Sequence, residues 1–137
     1  MGRDISIHLE FRDVKSKKFK YGGSHTVERI YSLFDLFVRI PYAQHTNHVF
    51  CKARGLPGDI TNCTYKAYKE FGDVRNPGWL ITSELKECLD VFKRNVLQEY
   101  KDESLLDCIK HYEILYDYMN DHESHGEECR IVFWFDQ

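Results

Sequence analysis

The sequence predicts an α+β fold: a small, mainly antiparallel sheet that includes the N- and C-terminal strands and is packed by three or four helices. Residues 4–11 alternate between polar and apolar side chains, as a half-buried strand does. Residues 129–135 are apolar on both faces, which is typical of a central or doubly covered strand. Because both strands have an apolar face too large to leave in water, we expect them in one sheet, with helices packed on it.

The N-terminal part of the chain predicts a strand, a short return strand and a helix. The strand at 4–11 places Ile5, Ile7, Leu9 and Phe11 on one face. Residues 19–21, just before two glycines, fit a short return strand. A first helix is expected at 26–39, ended by Pro41. Its apolar stripe consists of Ile30, Leu33, Phe34, Phe37 and Val38.

The middle of the chain predicts loops around one short helix. Residues 41–53 fit an irregular loop with a short strand at 49–51. Asp59 is a suitable N-cap for a helix at 60–71, and Gly72 follows its C-terminus. Residues 73–77 then form a loop, and a short strand follows at 79–81.

The C-terminal part predicts two longer helices before the last strand. Thr82 is expected to cap a helix at 83–98, and a further helix is expected at 102–121. The polar residues 120–128 turn the chain into the last strand. The predicted core residues of the two helices are Leu85, Leu89, Phe92 and Val96, then Leu105, Ile109, Tyr112, Tyr116 and Met119.

Length and composition favour one globular domain, residues 1–137, in the cytoplasm. The 137 residues suffice for one core, and no apolar run approaches a membrane span. The chain enters its first strand directly, so we expect no signal peptide. The five cysteines have no zinc or disulfide spacing and are expected to be reduced. We expect no metal and no cofactor, although His122, His125, Cys129 and a glutamate could be assembled into a zinc site on paper, and His45 and His48 form a second histidine pair.

The charge distribution disfavours long nucleic acids as partners. The net charge is −3, whereas polymer binders are usually basic. Residues 98–128 hold ten acidic and two basic side chains, while residues 1–97 hold 16 basic and 11 acidic ones. A small anionic ligand held by the basic part is compatible with this pattern, as are two simply solvated faces. A homo-oligomer is an option that the sequence leaves open.

Arg54 is the strongest candidate for a binding residue. It precedes the turn Gly55-Leu56-Pro57-Gly58, which would fix its position, so we expect its guanidinium not to be needed for building the loop. Arginine forks hold phosphates, and aromatic rings stack on bases. Alternatively, Arg54 pairs with Asp59 or another acid, Trp79 belongs to the core and Arg75 is solvated. The predicted ligand-binding residues are Arg29, Tyr31, Lys52, Arg54, Arg75, Asn76 and Trp79.

Catalytic motifs are weak in this sequence. His8 and Glu10 share a strand face and could form an acid–base pair, an arrangement that alternation produces in many strands. His25-Thr26 and His45-Thr46 lack the spacing of two-histidine phosphodiesterases. A nucleophile elbow and a Walker-type phosphate loop do not occur. We therefore assign no catalytic residue.

Five motifs in order resemble a group of small proteins from tailed phages and prophages. They are residues 2–10, 29–37, 54–59 (Arg-Gly-Leu-Pro-Gly-Asp), 79–85 (Trp-Leu-Ile-Thr-Ser-Glu-Leu) and 130–136 (Arg-Ile-Val-Phe-Trp-Phe-Asp). Members of that group often have a histidine-rich stretch before the Trp-Leu piece, which residues 73–78 lack. Small phage proteins often neutralise host defence, some by sequestering cyclic-nucleotide signals, so the resemblance implies an anti-defence setting.

These observations lead to one expectation and two alternatives. We expect a protein that binds and sequesters a small, phosphate-bearing nucleotide signal without cleaving it. The first alternative is a phosphodiesterase or nucleotide hydrolase that uses His8, Glu10 and a loop histidine. The second is an inhibitor of a host protein that uses the acidic helix 102–121.

Overall fold

The computed structural model describes residues 4–43, 54–72, 74–100 and 103–136, and it confirms the α+β class. The strands are β1 (Ile5–Asp13), β2 (Lys20–His25), β3 (Val74–Ile81) and β4 (Glu127–Asp136). The α-helices are α1 (Tyr31–Ala43), α2 (Asn62–Glu70), α3 (Thr82–Asn95) and α4 (Lys110–Ser124). A π-helical turn, Val96–Tyr100, continues α3, and a 3₁₀ segment, Glu103–Ile109, leads into α4. Among these described helices, none is long and apolar enough to cross a membrane.

The strands form an antiparallel sheet in the order β2-β1-β4-β3. β4 lies inside the sheet and pairs with β1 along the whole of β1, from Ile5 opposite Phe135 to Asp13 opposite Glu127. This confirms that the first and last strands share one sheet. Trp134 is fully buried, as expected for a central strand.

Both faces of the sheet are covered, which explains why β4 is apolar on both sides. On one face, Phe133 and Phe135 contact α1, with ring centroids 5.5 Å from Phe37 and 5.0 Å from Phe34. The core on this side also takes in α3 and α4. On the opposite face, Tyr68 in α2 and Trp134 pack edge to face, with ring centroids 5.3 Å apart. The short helix α2 therefore buries the second face of β4.

The first helix differs from its predicted bounds at both ends. It begins at Tyr31 instead of residue 26, and the amides of its first turn donate to the carbonyl oxygen of Ile30. Tertiary contacts hold the preceding residues outside the helix: the Tyr112 hydroxyl donates to the Glu28 carbonyl at 2.5 Å. The helix also continues through Pro41 to Ala43, so Pro41 does not end it.

The segment around α2 corrects two more predictions. The N-cap of α2 is Thr61 and not Asp59, because the Thr61 hydroxyl accepts the Thr64 amide at 3.2 Å while Asp59 pairs elsewhere. Residues 74–77 belong to β3 and are not a loop. The pairing register of β3 with β4 is interrupted between Arg75 and Gly78, and Asn76 in this interval has a left-handed φ of 50°. This irregular stretch is the reason that the sequence predicted a loop instead of a strand. The loop and short strand predicted within 44–53 lie outside the described residues.

The last two helices keep their predicted core stripes but not their caps or ends. Thr82 lies inside α3, and the residue before the helix, Ile81, donates its amide to the Glu84 carboxylate at 3.0 Å. The helix expected at 102–121 is a 3₁₀ segment followed by α4, which extends to Ser124. The apolar stripes nevertheless face the core as predicted: Leu85, Leu89, Phe92, Val96, Ile109, Tyr112 and Met119 are buried, and Leu105 and Tyr116 pack against them.

Gly78 offers a direct test of the packing between β3 and β4. A Cβ atom at Gly78 would lie 2.8 Å from Cζ of Phe133, whose ring is enclosed by the core. We expect Gly78→Ala to lower the free energy of unfolding by about 1–3 kcal/mol in urea denaturation.

Gly58→Ala is the matched control, because an added Cβ there meets nothing within 4 Å. It should change the free energy of unfolding by less than about 0.5 kcal/mol. Equal effects of the two substitutions would contradict the described packing.

Candidate functional site

A buried ion pair between Glu10 and Arg130 lies on the face of the sheet that α2 covers. The two residues are cross-strand neighbours in β1 and β4, and they are 0% and 5% exposed. Nε and Nη2 of Arg130 lie 2.8 and 2.6 Å from the same Glu10 oxygen. The other Glu10 oxygen accepts the Thr61 amide and the Thr64 hydroxyl, both at 2.8 Å. With these hydrogen bonds, the Glu10 carboxylate joins two strands to the start of α2.

The outer side of the Arg130 guanidinium faces Asp59 and Phe19. Nη1 of Arg130 donates to the Asp59 carboxylate at 2.7 Å, and Nη2 donates to the Asp59 carbonyl at 3.2 Å. The guanidinium carbon lies 3.6 Å from the centre of the Phe19 ring. Burial alone would raise the pKa of Asp59, but the hydrogen bond and the charge of Arg130 outweigh it, so this pKa lies below its ordinary value. Arg130 is therefore the main group that stabilises the ionised form of the Asp59 carboxylate.

A pocket of about 650 Å³ opens beside this pair, between the segment 54–59 and the sheet. Its basic lining residues are Arg12 from β1, Arg54 from the loop and Arg130 from β4. The rings of Phe19 and Trp79 also line it. Acidic side chains in the lining are Asp59, Glu123 and Glu128. Guanidinium groups from separate parts of the chain thus converge on one pocket with aromatic walls.

Arg54 is engaged with the fold, contrary to the expectation that its guanidinium is not needed for the loop. Its two terminal nitrogens donate to the two oxygens of Glu84 in α3, at 2.9 and 2.5 Å. Nη1 also donates to the Trp79 carbonyl at 3.1 Å, and the guanidinium carbon lies 4.0 Å from the centre of the Trp79 ring. The alternative in which Arg54 pairs with an acid is therefore observed, with Glu84 and not with Asp59 as the partner.

Arg12 is held more loosely at the rim of the pocket. Its Nη2 and Nε atoms lie 2.7 and 2.8 Å from one Glu128 oxygen, and the Glu128 side chain is 48% exposed. The Arg12 guanidinium carbon lies 4.5 Å from the centre of the Phe19 ring. Arg12 and Arg130 therefore contact the same aromatic side chain and are close neighbours in the pocket.

The structure brings only some of the predicted binding residues together. Arg54 and Trp79 line the pocket. Arg29 instead forms an exposed ion pair with Asp4 at 2.7 Å, and Tyr31, at the start of α1, lies beside Phe34. Arg75 and Asn76 are exposed on β3 and are absent from the described lining of the pocket. Lys52 lies outside the described residues.

Sequence reasoning missed Arg12, Phe19 and Arg130 as residues of the pocket. One signal was available, because Arg130 interrupts a strand that is otherwise apolar on both faces. Arginine is almost never fully buried unless it is paired. A charged residue in such a strand therefore indicates a partner on a neighbouring strand, which here is Glu10.

The predicted acid–base pair of His8 and Glu10 does not fit the geometry. The carboxylate of Glu10 is fully buried and held by Arg130, Thr61 and Thr64. His8 has Nδ1 at 2.9 Å from the Tyr21 hydroxyl, and its ring stacks on Trp134 with centroids 4.8 Å apart.

The histidines also do not form a pair across β1 and β2. His25 is opposite Ile7 in the register and His8 is opposite Ser24, so the two side chains leave the backbone on opposite faces of the sheet, although both residues line one cleft. His25 accordingly lies near Tyr118 of α4, with ring centroids 6.2 Å apart. Within the described residues, the hydrogen-bond partner of His8 is therefore Tyr21 and not His25, and the loop histidines His45 and His48 lie outside the described residues.

No cluster suited to a metal ion occurs among the described residues. Nδ1 of His122 is 2.8 Å from the Glu127 carboxylate, and Nδ1 of His125 is 2.8 Å from the Asp121 carbonyl oxygen. Burial raises the pKa of the Cys129 thiol to about 12, which disfavours the thiolate form that binds metals. His45 and His48 lie outside the described residues.

Comparisons with protein-family models, with curated proteins and with solved structures found no match to this chain. The site itself offers guanidinium donors, flat aromatic surfaces and a cavity of a size common for small-molecule sites. Such groups hold oxyanions and planar rings.

The buried ion pair should dominate the stability of this region. Arg130→Met leaves the Glu10 carboxylate buried without its charge partner, so we expect a loss of about 3–5 kcal/mol in the free energy of unfolding. Arg12→Met is the matched control and should cost less than about 1 kcal/mol, because the Arg12–Glu128 pair is exposed. Chemical denaturation of both variants would measure this difference, and equal losses would contradict it.

The buried His8 should make stability depend on pH. Burial lowers the pKa of the His8 imidazole, an effect that the charge of Glu10 opposes and that of His25 reinforces. Below pH 6.5 the unfolded chain therefore binds a proton that the folded chain resists, and stability falls as the pH falls. Between about pH 7 and pH 5 we expect His8→Gln to lose less stability than the wild type, by on the order of 1 kcal/mol.

His125→Gln, at an exposed position, provides the control for this pH series. It should reproduce the pH dependence of the wild type in denaturant titrations. If His8→Gln also reproduces it, the folded state does not resist protonation of His8.

Proposed function

We propose that the protein binds a small, phosphate-bearing nucleotide in the pocket of Arg12, Arg54 and Arg130 and releases it unchanged. The supporting observation is the convergence of these guanidinium groups, with Phe19 and Trp79, on one cavity of about 650 Å³. Arginine is suited to this task because its planar fork matches phosphate oxygens. The proposal keeps Arg54 and Trp79, which were expected from the sequence, and adds Arg12, Phe19 and Arg130, which were not predicted.

The ion pairs behind the pocket support binding by fixing the guanidinium groups in advance. Glu10 holds the inner side of Arg130, and Glu84 holds Arg54 through a two-point contact. Donors that are already oriented lose less side-chain entropy when a ligand arrives. The rings of Phe19 and Trp79 provide surfaces on which a base could stack.

Sequestration fits this geometry better than cleavage does. Among the described groups considered for hydrolysis, Glu10 is held by Arg130 and Thr61, and His8 bonds Tyr21 and stacks on Trp134. We therefore favour binding without cleavage over the phosphodiesterase alternative.

A contact with a host protein is the second candidate, supported by the exposed face of α4. Ile114 and Tyr118, one helical turn apart, are 62% and 45% exposed. Exposed acids, Asp117 and Asp121, lie on the same helix. An apolar strip beside acidic side chains would suit a basic partner.

The resemblance to phage proteins supplies the setting for this proposal. In that setting the protein acts in the cytoplasm of a host bacterium and removes a nucleotide signal of the host's defence. The pocket is compatible with that role, because a sequestering protein needs affinity and not chemistry.

A recovery experiment tests the proposal. The purified protein is incubated with a panel of cyclic mononucleotides, cyclic dinucleotides and nucleoside phosphates, and the free ligand is quantified by chromatography before and after heat denaturation. Depletion followed by intact recovery supports sequestration. Altered products would instead support hydrolysis, and no depletion of any compound would favour a protein partner through α4.

Arg12 gives the cleanest mutational test of the pocket, because it is only loosely tied to the fold. For a compound that the wild type depletes, we expect Arg12→Ala to weaken binding by about 1.5–3 kcal/mol, the range for a charge-assisted hydrogen bond. Arg75→Ala, which removes an exposed arginine outside the described lining, should leave the dissociation constant unchanged. Isothermal titration measures both, and equal losses would place the ligand elsewhere.

A further inference from the structure

We propose that the carboxylates of Asp59 and Glu128 occupy the places of the ligand's anionic groups, so that the pocket selects a phosphate compound carrying two negative charges. This inference rests on the proposed function of the pocket. On binding, the ligand displaces the carboxylates of Asp59 and Glu128 from the arginines. The negative charge of the ligand therefore has to match the two charges that these carboxylates carry.

The first support is the difference between the acidic partners of the arginines. Glu10 and Glu84 lie on the inner side: Glu10 is fully buried, and the Glu84 side chain is only 20% exposed. Asp59 and Glu128 lie on the solvent side, with side chains 54% and 48% exposed. The Arg12–Glu128 pair has both partners partly exposed and is worth about 0–1 kcal/mol, so a ligand can replace Glu128 at little cost. Arg130 is only 6% exposed, but Glu10 would still neutralise it when the ligand replaces Asp59. Glu10 and Glu84 would remain in place and hold the guanidinium groups.

The second support is the position of the two exchangeable pairs. The carboxylate of Asp59 sits 2.7 Å from Nη1 of Arg130, and that of Glu128 sits 2.7 Å from Nη2 of Arg12. The guanidinium carbons of Arg12 and Arg130 lie 4.5 and 3.6 Å from the centre of the same Phe19 ring. A compact ligand could therefore reach both donors at once, with Phe19 as a shared apolar contact.

The third support is a place for the displaced Asp59 side chain. Asp59 and Phe19 also line a neighbouring cleft of about 320 Å³, in which Lys17 and Lys18 are present. A rotated Asp59 carboxylate would lie in a cleft whose lining includes these two lysines. The exchange thus requires a side-chain rotation and no change of the sheet.

The charge balance defines the ligand class. Two monoanionic carboxylates leave Arg12 and Arg130 while Glu10 stays on Arg130, so a ligand with two negative charges returns the pocket to the charge it had before the exchange. A terminal phosphate, with a charge of about −1.5 to −2 near pH 7, supplies them, and so do the two phosphodiesters of a cyclic dinucleotide. A cyclic mononucleotide supplies only one and should bind more weakly.

Isothermal titration at constant ionic strength tests this with a nucleoside monophosphate, a cyclic dinucleotide and a cyclic mononucleotide. The variants are Asp59→Asn and Glu128→Gln, which remove a resident charge and keep the shape and an acceptor oxygen. Each should tighten binding of the cyclic mononucleotide by about threefold to fivefold, the equivalent of one exposed ion pair. Glu123→Gln is the control: Glu123 lines the same pocket, and within the described residues it forms no ion pair with an arginine.

The outcomes separate the two proposals. Tighter binding by Asp59→Asn and Glu128→Gln but not by Glu123→Gln supports the exchange. Unchanged or weaker binding by both variants, with a wild type that binds, overturns the exchange and leaves the pocket as a binding site. Equal wild-type affinity for the mononucleotide and the dianionic compounds overturns the charge matching. Failure of every form to bind any of the three compounds overturns the proposed function together with this inference.

Discussion

The ion pair between Glu10 and Arg130 is the constraint on which the rest of this structure depends. Its members lie 120 residues apart in the sequence and almost completely out of water. Desolvating two charges is costly, and the cost is offset here because the second Glu10 oxygen accepts hydrogen bonds from Thr61 and Thr64. The pair therefore fixes the register of β1 against β4, the entry into α2 and the direction of the Arg130 guanidinium together. The pocket lies beside Arg130 as a consequence.

The sheet could be predicted from the sequence because burial leaves a local trace. Alternation in residues 4–11 and apolar side chains on both faces of 129–135 indicate strands without knowledge of what they contact. Helix ends were less predictable, since neighbouring polar residues compete to cap a helix and tertiary contacts decide which of them does so. Asp59 and Thr61 are both suitable caps for α2, and Asp59 is drawn to Arg130, so Thr61 takes the cap.

The pocket was harder to predict than the sheet, because its residues meet only through the fold. In the sequence, Arg29, Arg54 and Arg75 are each an arginine near a loop or helix start, and nothing local distinguishes them. The fold separates them: Arg54 lies against Trp79 and Glu84 at the pocket, while Arg29 pairs with Asp4 and Arg75 lies on an edge strand. The partners of each guanidinium, and not its immediate neighbours in the chain, decide its role.

The central position of β4 has a consequence for how the chain folds. β1 and β3 pair with a strand that follows them in the sequence, so the sheet cannot close until residues 127–136 are available. Contacts between such distant segments carry a high loop-closure cost and are associated with slow folding. Before β4 is available, the edge of β1 that later pairs with β4 can form hydrogen bonds with other chains, and the apolar face of β1 is exposed to them. During synthesis, the early part of this protein therefore depends on its last strand for protection against aggregation.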